Sequence, residues 1–141
     1  SFHASRAAEK LRHESQKCRI ITAFIRSNRF NNNIKQIYAS RHIELAYPTD
    51  DSRIIIKNAN QILNSVFMDG YQYSKAGVLL SDFTKSYGYQ MSLFDKNIDS
   101  KSSRELMRTV DHINMMEIAR IGFGNQGFIN TWRMKRHICA N

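Results

Sequence analysis

Cysteine is nearly missing from this chain. Cys18 and Cys139 are its only two in 141 residues, with no tight spacing between them. That excludes a disulfide framework and a cysteine-based zinc site, and leaves both as expected free thiols. Histidine offers no metal signature either. His3, His13, His42, His112 and His137 fall in no ligand spacing, and His137-Ile138-Cys139 has too few donors for a site. No metal or other cofactor is expected in this chain. Long apolar runs are also missing. Nothing approaches the ~18 consecutive apolar residues that span a bilayer. Ser1-Phe2-His3-Ala4 lacks the apolar core of a signal peptide. The expectation is a soluble, cytoplasmic chain without a membrane partner.

Acidic residues are in deficit, 12 Asp and Glu against 21 Lys and Arg, for a net charge of +9 and a pI near 9.8. Up to Gln90 there are 13 basic residues against 7 acidic, and after it 8 against 5, so +6 of the +9 lies in the first part. Such an excess is the electrostatic footprint of a chain that meets a polyanion, and nucleic acid is the first candidate. Charge selects the class of partner and says nothing of an activity. With 42% hydrophobic and 23% charged residues the chain has the composition of a folded protein. Its length suits one ordinary domain with an appendage.

Apolar periodicity supplies the elements. Ala4, Ala7, Ala8, Leu11 and Cys18 recur at helical spacing and predict an amphipathic helix over 4–18. Arg19 to Arg26 is rich in β-branched and aromatic residues and predicts a buried strand bounded by Ser27-Asn28. Asn31-Asn32-Asn33 marks a polar loop. In His42 to Tyr47 strict alternation puts Ile43, Leu45 and Tyr47 on one face of a half-buried strand, which Pro48 should end. Asp50, Asp51 and Ser52 supply capping oxygens for a second helix with the stripe Ile55, Ala59, Ile62, Leu63, Val66 and Phe67. Gly70 is expected to close that helix as its left-handed cap. A further strand, about Tyr73 to Ser81, carries Val78, Leu79 and Leu80. The result is an α+β fold, a small sandwich with two helices on one face of a mostly antiparallel sheet. Its other face is open and basic, suited to phosphates rather than to reading bases.

Beyond Asp82 the character changes. Thr84 to Gly88 and Asp95 to Ser103 are polar, and between them stands Gln90-Met91-Ser92-Leu93-Phe94. Left in water, Met91, Leu93 and Phe94 would each forgo about 1.5–3 kcal/mol of transfer energy. The Gln90 amide can fix the register of an extended peptide while the apolar side chains fill a pocket. The pentapeptide resembles the Gln-Leu-(Ser/Asp)-Leu-Phe motif by which bacterial polymerases and repair proteins dock on the sliding clamp, with Met91 in place of the first leucine. The alternative is that Leu93 and Phe94 pack back on their own domain. Ser102 and Glu105 have capping-box spacing and predict a helix with Leu106, Met107, Val110 and Ile113 on one side. The glycine-rich run Ile121 to Gly127 lacks the lysine of a phosphate-binding loop and reads as a turn or hairpin. Arg133, Lys135 and Arg136 around Trp132 and Met134 form a basic end that reads as a solvated last helix, with contact to nucleic acid the second choice.

Collinear blocks add a resemblance. Arg6 to Arg12, Cys18 to Phe30, Pro48 to Arg53, Tyr73 to Val78, Gln90 to Asp95 and Trp132 to Arg136 together resemble the C-terminal end of the catalytic subunit of DNA polymerase V. That is the UmuC type of the Y-family translesion polymerases, which act in SOS mutagenesis and DNA repair. The resemblance implies a little finger over 1–83 that lays its sheet in the DNA major groove and grips backbone. It implies a linker over 84–102 that carries the clamp motif, and a small appended region over 103–141. By position Arg19, Arg26, Arg41 and Lys75 become the candidates for phosphate contact, Lys75 most directly as the basic residue before Gly77-Val78. The implied partners are DNA, bound without regard to sequence, the bacterial sliding clamp, and the accessory subunits and recombinase filament of polymerase V.

The chain departs from that pattern in several places. It begins within the first helix, without the family's preceding strand, so one sheet position is expected to be empty or filled by a partner. It stops at Asn141 without a longer tail. The palm domain, with the carboxylates that hold two magnesium ions, is absent, and Asp50-Asp51 is better read as helix capping. The expectation is therefore no polymerase activity from this chain alone. A missing initiator methionine favours an excised fragment. The alternatives are a free-standing protein that competes for the clamp, and a basic nucleic-acid-binding module unrelated to polymerases, which would bind DNA and not the clamp.

Overall fold

A computed structural model describes residues 1–85, 101–116 and 121–124. Helix α1 (Phe2–His13) is followed by strands β1 (Gln16–Arg26) and β2 (Tyr38–Thr49), helix α2 (Ser52–Val66), strand β3 (Lys75–Lys85) and helix α3 (Lys101–Met115). β1 is the central strand of a three-stranded sheet in the order β2-β1-β3, antiparallel to both neighbours. α1 packs over β1 and β3, and α2 over β1 and β2. Both helices lie on one face, as the α+β reading expects. β2 and β3 are edge strands among the described residues.

The core explains this layering. α1 buries Ala4, Ala8 and Leu11, α2 buries Ile55, Ile56, Ala59 and Ile62, and β1 supplies Cys18, Ile21, Ala23 and Ile25. A fully buried aliphatic side chain such as Ile21, Ile55 or Ile62 contributes about 1.5–3 kcal/mol. The alanines let α1 sit close to its neighbours. Burial alternates along the second half of β1, because successive side chains of a strand point to opposite faces. Burial pushes the Cys18 thiol up to about 11, so it stays a neutral apolar filler. No helix among the described residues is long and apolar enough to cross a membrane.

Several boundaries differ from the sequence reading. α1 stops at His13, not Cys18. Ser15 takes a left-handed conformation (φ 52°) that turns the chain into β1, and Cys18 is buried from the strand. β2 runs on through Pro48 to Thr49. Its register against β1 shifts between Cys18 and Ile20, and an irregular edge strand tolerates a residue with no N–H to donate. Gly70 has φ +83° but caps no helix: α2 ends at Val66, followed by Phe67 in extended conformation. Phe67 itself is exposed, with its ring 5.3 Å from that of Tyr73. β3 extends to Lys85, and Asp82 within it has φ 56°. α3 starts at Lys101, one residue before the expected capping box. It buries Met107 and Val110 but leaves Leu106 exposed, since residues 103, 107 and 110 share one face of a helix.

Candidate nucleic-acid interface

The sheet face away from α1 and α2 is built row by row from the antiparallel register, since directly paired residues share a face. Arg26 stands opposite Tyr38 of β2 and Lys75 of β3. Phe24 stands opposite Ser40 and Gly77, and Thr22 opposite His42 and Leu79. These alternate with the buried Ile21, Ala23 and Ile25, so they face away from the helices. No described element covers them, and Leu79 and Tyr38 are exposed.

Of the four candidate cations, the fold brings two together. Arg26 and Lys75 are cross-strand partners at one end of the open face. Neither makes an ion pair among the described residues. Arg19 is differently placed. It sits at the register shift and spans the three strands, 2.9 Å from Glu44 of β2 and 2.8 Å from Asp82 of β3. Two carboxylates already neutralise it, so its pull on a phosphate is weakened, although exposed pairs of this kind are individually weak. Arg41 pairs in register with Ala23, which is buried against the helices, so Arg41 leaves the sheet on the opposite face from Arg26 and Lys75. The open face therefore has a basic end at Arg26 and Lys75 and an end where the single cation Arg19 is outnumbered by Glu44 and Asp82.

The basic end also carries aromatic rings that the sequence reading did not single out. Phe24 and Tyr38 stack with centroids 6.3 Å apart and planes inclined by 29°. Gly77 makes room for this: a Cβ there would lie 2.5 Å from two Phe24 ring carbons. Alternation in β1 could have placed Phe24 on the outer face, but its register with Gly77 has no local signature. The neighbouring loop is pinned by Gln36, whose amide donates to the carbonyls of Asn28 (3.0 Å) and Asn31 (2.8 Å) and accepts from the Ser27 hydroxyl (2.9 Å). Lys35 lies 4.7 Å from the centroid of the Tyr71 ring, a cation–π contact beside the same edge.

A second polar constellation ties α3 to the helical layer. The Arg12 guanidinium donates to both Asp111 carboxylate oxygens at 2.6 Å, and also to the Asp50 carbonyl (2.7 Å) and the Ser52 hydroxyl (2.9 Å). Asp51 caps α2 by accepting the Arg53 backbone N–H at 2.8 Å. It also accepts the Arg53 guanidinium (2.6 Å) and the Ser103 hydroxyl (2.7 Å). Burial alone would raise the Asp51 pKa, but these hydrogen bonds outweigh it and hold the carboxyl below its usual range. Asp51 is thus a helix cap, as expected, and also an anchor for α3. No cluster of three or more His, Cys, Asp or Glu side chains among the described residues could hold a metal ion.

The expected clamp peptide Gln90, Met91, Ser92, Leu93 and Phe94 lies outside the described residues, as does the basic end Trp132 to Arg136. Its flanks are described. β3 ends at Lys85 and α3 begins at Lys101, each joined to the folded layers.

Residues 1–93 match the family model described as the impB/mucB/samB family C-terminal domain. The chain is 44% identical over 140 residues to the protein ImpB of Salmonella typhimurium, covering 98% of this chain and 32% of that protein. It is 40% identical over 139 residues to the UmuC protein of Salmonella typhimurium strain LT2, covering 98% of this chain and 33% of the relative. To the SamB protein of Salmonella typhimurium it is 38% identical over 138 residues. The chain thus spans about a third of the length of the relatives it matches.

Proposed function

The chain belongs to the impB/mucB/samB family, as a UmuC-type C-terminal region, and from that premise we propose that it is the DNA-gripping and clamp-docking part of an error-prone translesion DNA polymerase. In this reading the sheet face bearing Arg26 and Lys75 rests on the phosphate backbone of duplex DNA, and Gln90 to Phe94 docks in a pocket of the bacterial sliding clamp. The chain is non-catalytic by itself. The metal-binding carboxylates, and the choice of lesion, belong to another part of the parent enzyme. The parent works in SOS mutagenesis, with polymerase V accessory subunits and a recombinase filament as further partners, in the cytoplasm. Residues 1–83 act as the little finger, 84–102 as the linker with the clamp motif, and 103–141 as the appended region.

The observation that carries the DNA half is the uncovered sheet face, whose adjacent Arg26 and Lys75 have no carboxylate partner among the described residues. Unpaired cations on a flat face release counterions from a phosphate backbone and make binding insensitive to sequence. Arg19 and Arg41 are secondary in this account, the first because Glu44 and Asp82 compete for it, the second because it projects on the other face. What supports the clamp half is the composition of the pentapeptide. In the sequence it lies between β3 and α3.

Calorimetric titration of the chain with a bacterial sliding clamp tests this, run beside the triple change Gln90→Ala, Leu93→Ala, Phe94→Ala and beside duplex DNA at several salt concentrations. The expected result is clamp binding that the triple change abolishes, with Phe94→Ala alone costing about 2 kcal/mol or more, and duplex binding that falls steeply with salt. Clamp binding that survives the triple change would refute the docking role of the peptide. Duplex binding that ignores salt would refute the backbone grip.

A further inference from the structure

We propose that the Phe24–Tyr38 step on the open sheet face is a base-stacking platform, so that this face also takes unpaired single-stranded DNA. The inference rests on the DNA-binding reading above and adds a ligand class and a named residue to it. Tyr38 is 61% exposed, yet its ring is held by stacking on Phe24 at 6.3 Å. Phe24 in turn leans over Gly77, where any side chain would displace it. An exposed ring ordered in this way presents a flat apolar surface without losing further freedom when a ligand arrives. The register puts it in one row with charge: Tyr38, Arg26 and Lys75 stand side by side across β2, β1 and β3. A ring for a base beside two cations for its phosphates is the arrangement that binds single strands. In a duplex the bases are stacked on one another inside the helix and cannot lie on a protein ring. Tyr38 should therefore discriminate between the two forms, whereas Arg26 and Lys75 should not. The other end of the same face carries Arg19 between the carboxylates of Glu44 and Asp82.

Fluorescence anisotropy of the 141-residue chain with a labelled thymidine oligonucleotide and with a labelled blunt-ended duplex of two fully complementary strands tests the proposal, using Tyr38→Ala, Tyr38→Phe and Arg26→Ala. Tyr38→Ala is expected to weaken single-strand binding by at least about five-fold and to leave duplex binding within two-fold. Tyr38→Phe keeps the ring and should keep both affinities. Arg26→Ala should weaken both. Because Tyr38 is exposed, its variants should fold, and circular dichroism checks this. Equal effects of Tyr38→Ala on the two DNAs, or none on the single strand, would overturn the platform while leaving the backbone grip intact. Failure of the unaltered chain to bind either DNA would overturn the DNA reading and the platform with it.

Discussion

Replacing Asp111 by alanine removes the carboxylate that receives two guanidinium N–H groups of Arg12 at 2.6 Å. Arg12 is only 10% exposed, so its charge would remain in a poorly hydrated site, while Asp111 itself is 28% exposed. Breaking a fully buried pair from one side costs about 3–5 kcal/mol. Two features lower that figure here. Asp111 retains some solvent, and Arg12 keeps two neutral acceptors, the Asp50 carbonyl and the Ser52 hydroxyl. The loss should therefore approach that of charged hydrogen bonds, about 1.5–3 kcal/mol. It should fall on the docking of α3, which buries Met107 and Val110 and is also held through Ser103 to Asp51 and Arg53. Native-state hydrogen exchange should then show the α3 amides losing protection by about ten- to hundred-fold, with β1 less affected. A double-mutant cycle with Arg12→Ala and Asp111→Ala in urea denaturation should give a coupling of about 1–3 kcal/mol. A coupling under about 0.5 kcal/mol, with α3 protection unchanged, would refute the claim that this pair anchors the helix.

Two further predictions concern residues that hold the scaffold. Asp51 has a folded pKa held below its unfolded value, so its ionised form stabilises the fold at neutral pH, and that contribution is lost as pH falls through the folded pKa. Asp51→Asn should therefore be less stable than the native chain in urea at neutral pH, with the gap narrowing as pH falls below the ordinary carboxylate range. A gap independent of pH would refute this. Gly77→Ala places a Cβ against the Phe24 ring at 2.5 Å. The ring is the outer end of its side chain and can tilt away, so the cost should be near the low end of overpacking, about 1 kcal/mol. The same change in a Phe24→Ala background should cost clearly less. Equal costs in the two backgrounds would mean that the ring does not decide this glycine.

Much of the architecture was legible from pattern alone, and the reason is period. Helical recurrence of Ile55, Ala59 and Ile62 in α2, and alternation of Ile43 and Leu45 in β2, reflect which side of each element must be buried, and that is a property of neighbours in sequence. The Asp51 cap is local too, since it satisfies an N–H only two residues on. The motif blocks, being strings, were legible for the same reason. Tertiary structure decided whatever depends on register or on distant partners. One β-strand residue more or less would put Arg41 with Arg26, yet pairing with Ala23 sends it to the other face. Arg19 looked like a free cation until the fold set Glu44 and Asp82 on either side of it. Arg12 and Asp111 are 99 positions apart, and nothing in the local sequence of either marks the other as its partner. Charge count and periodicity are sums over the chain or its short windows. Which charges remain unpaired, and which ring stands beside them, is settled only when three strands are laid in register.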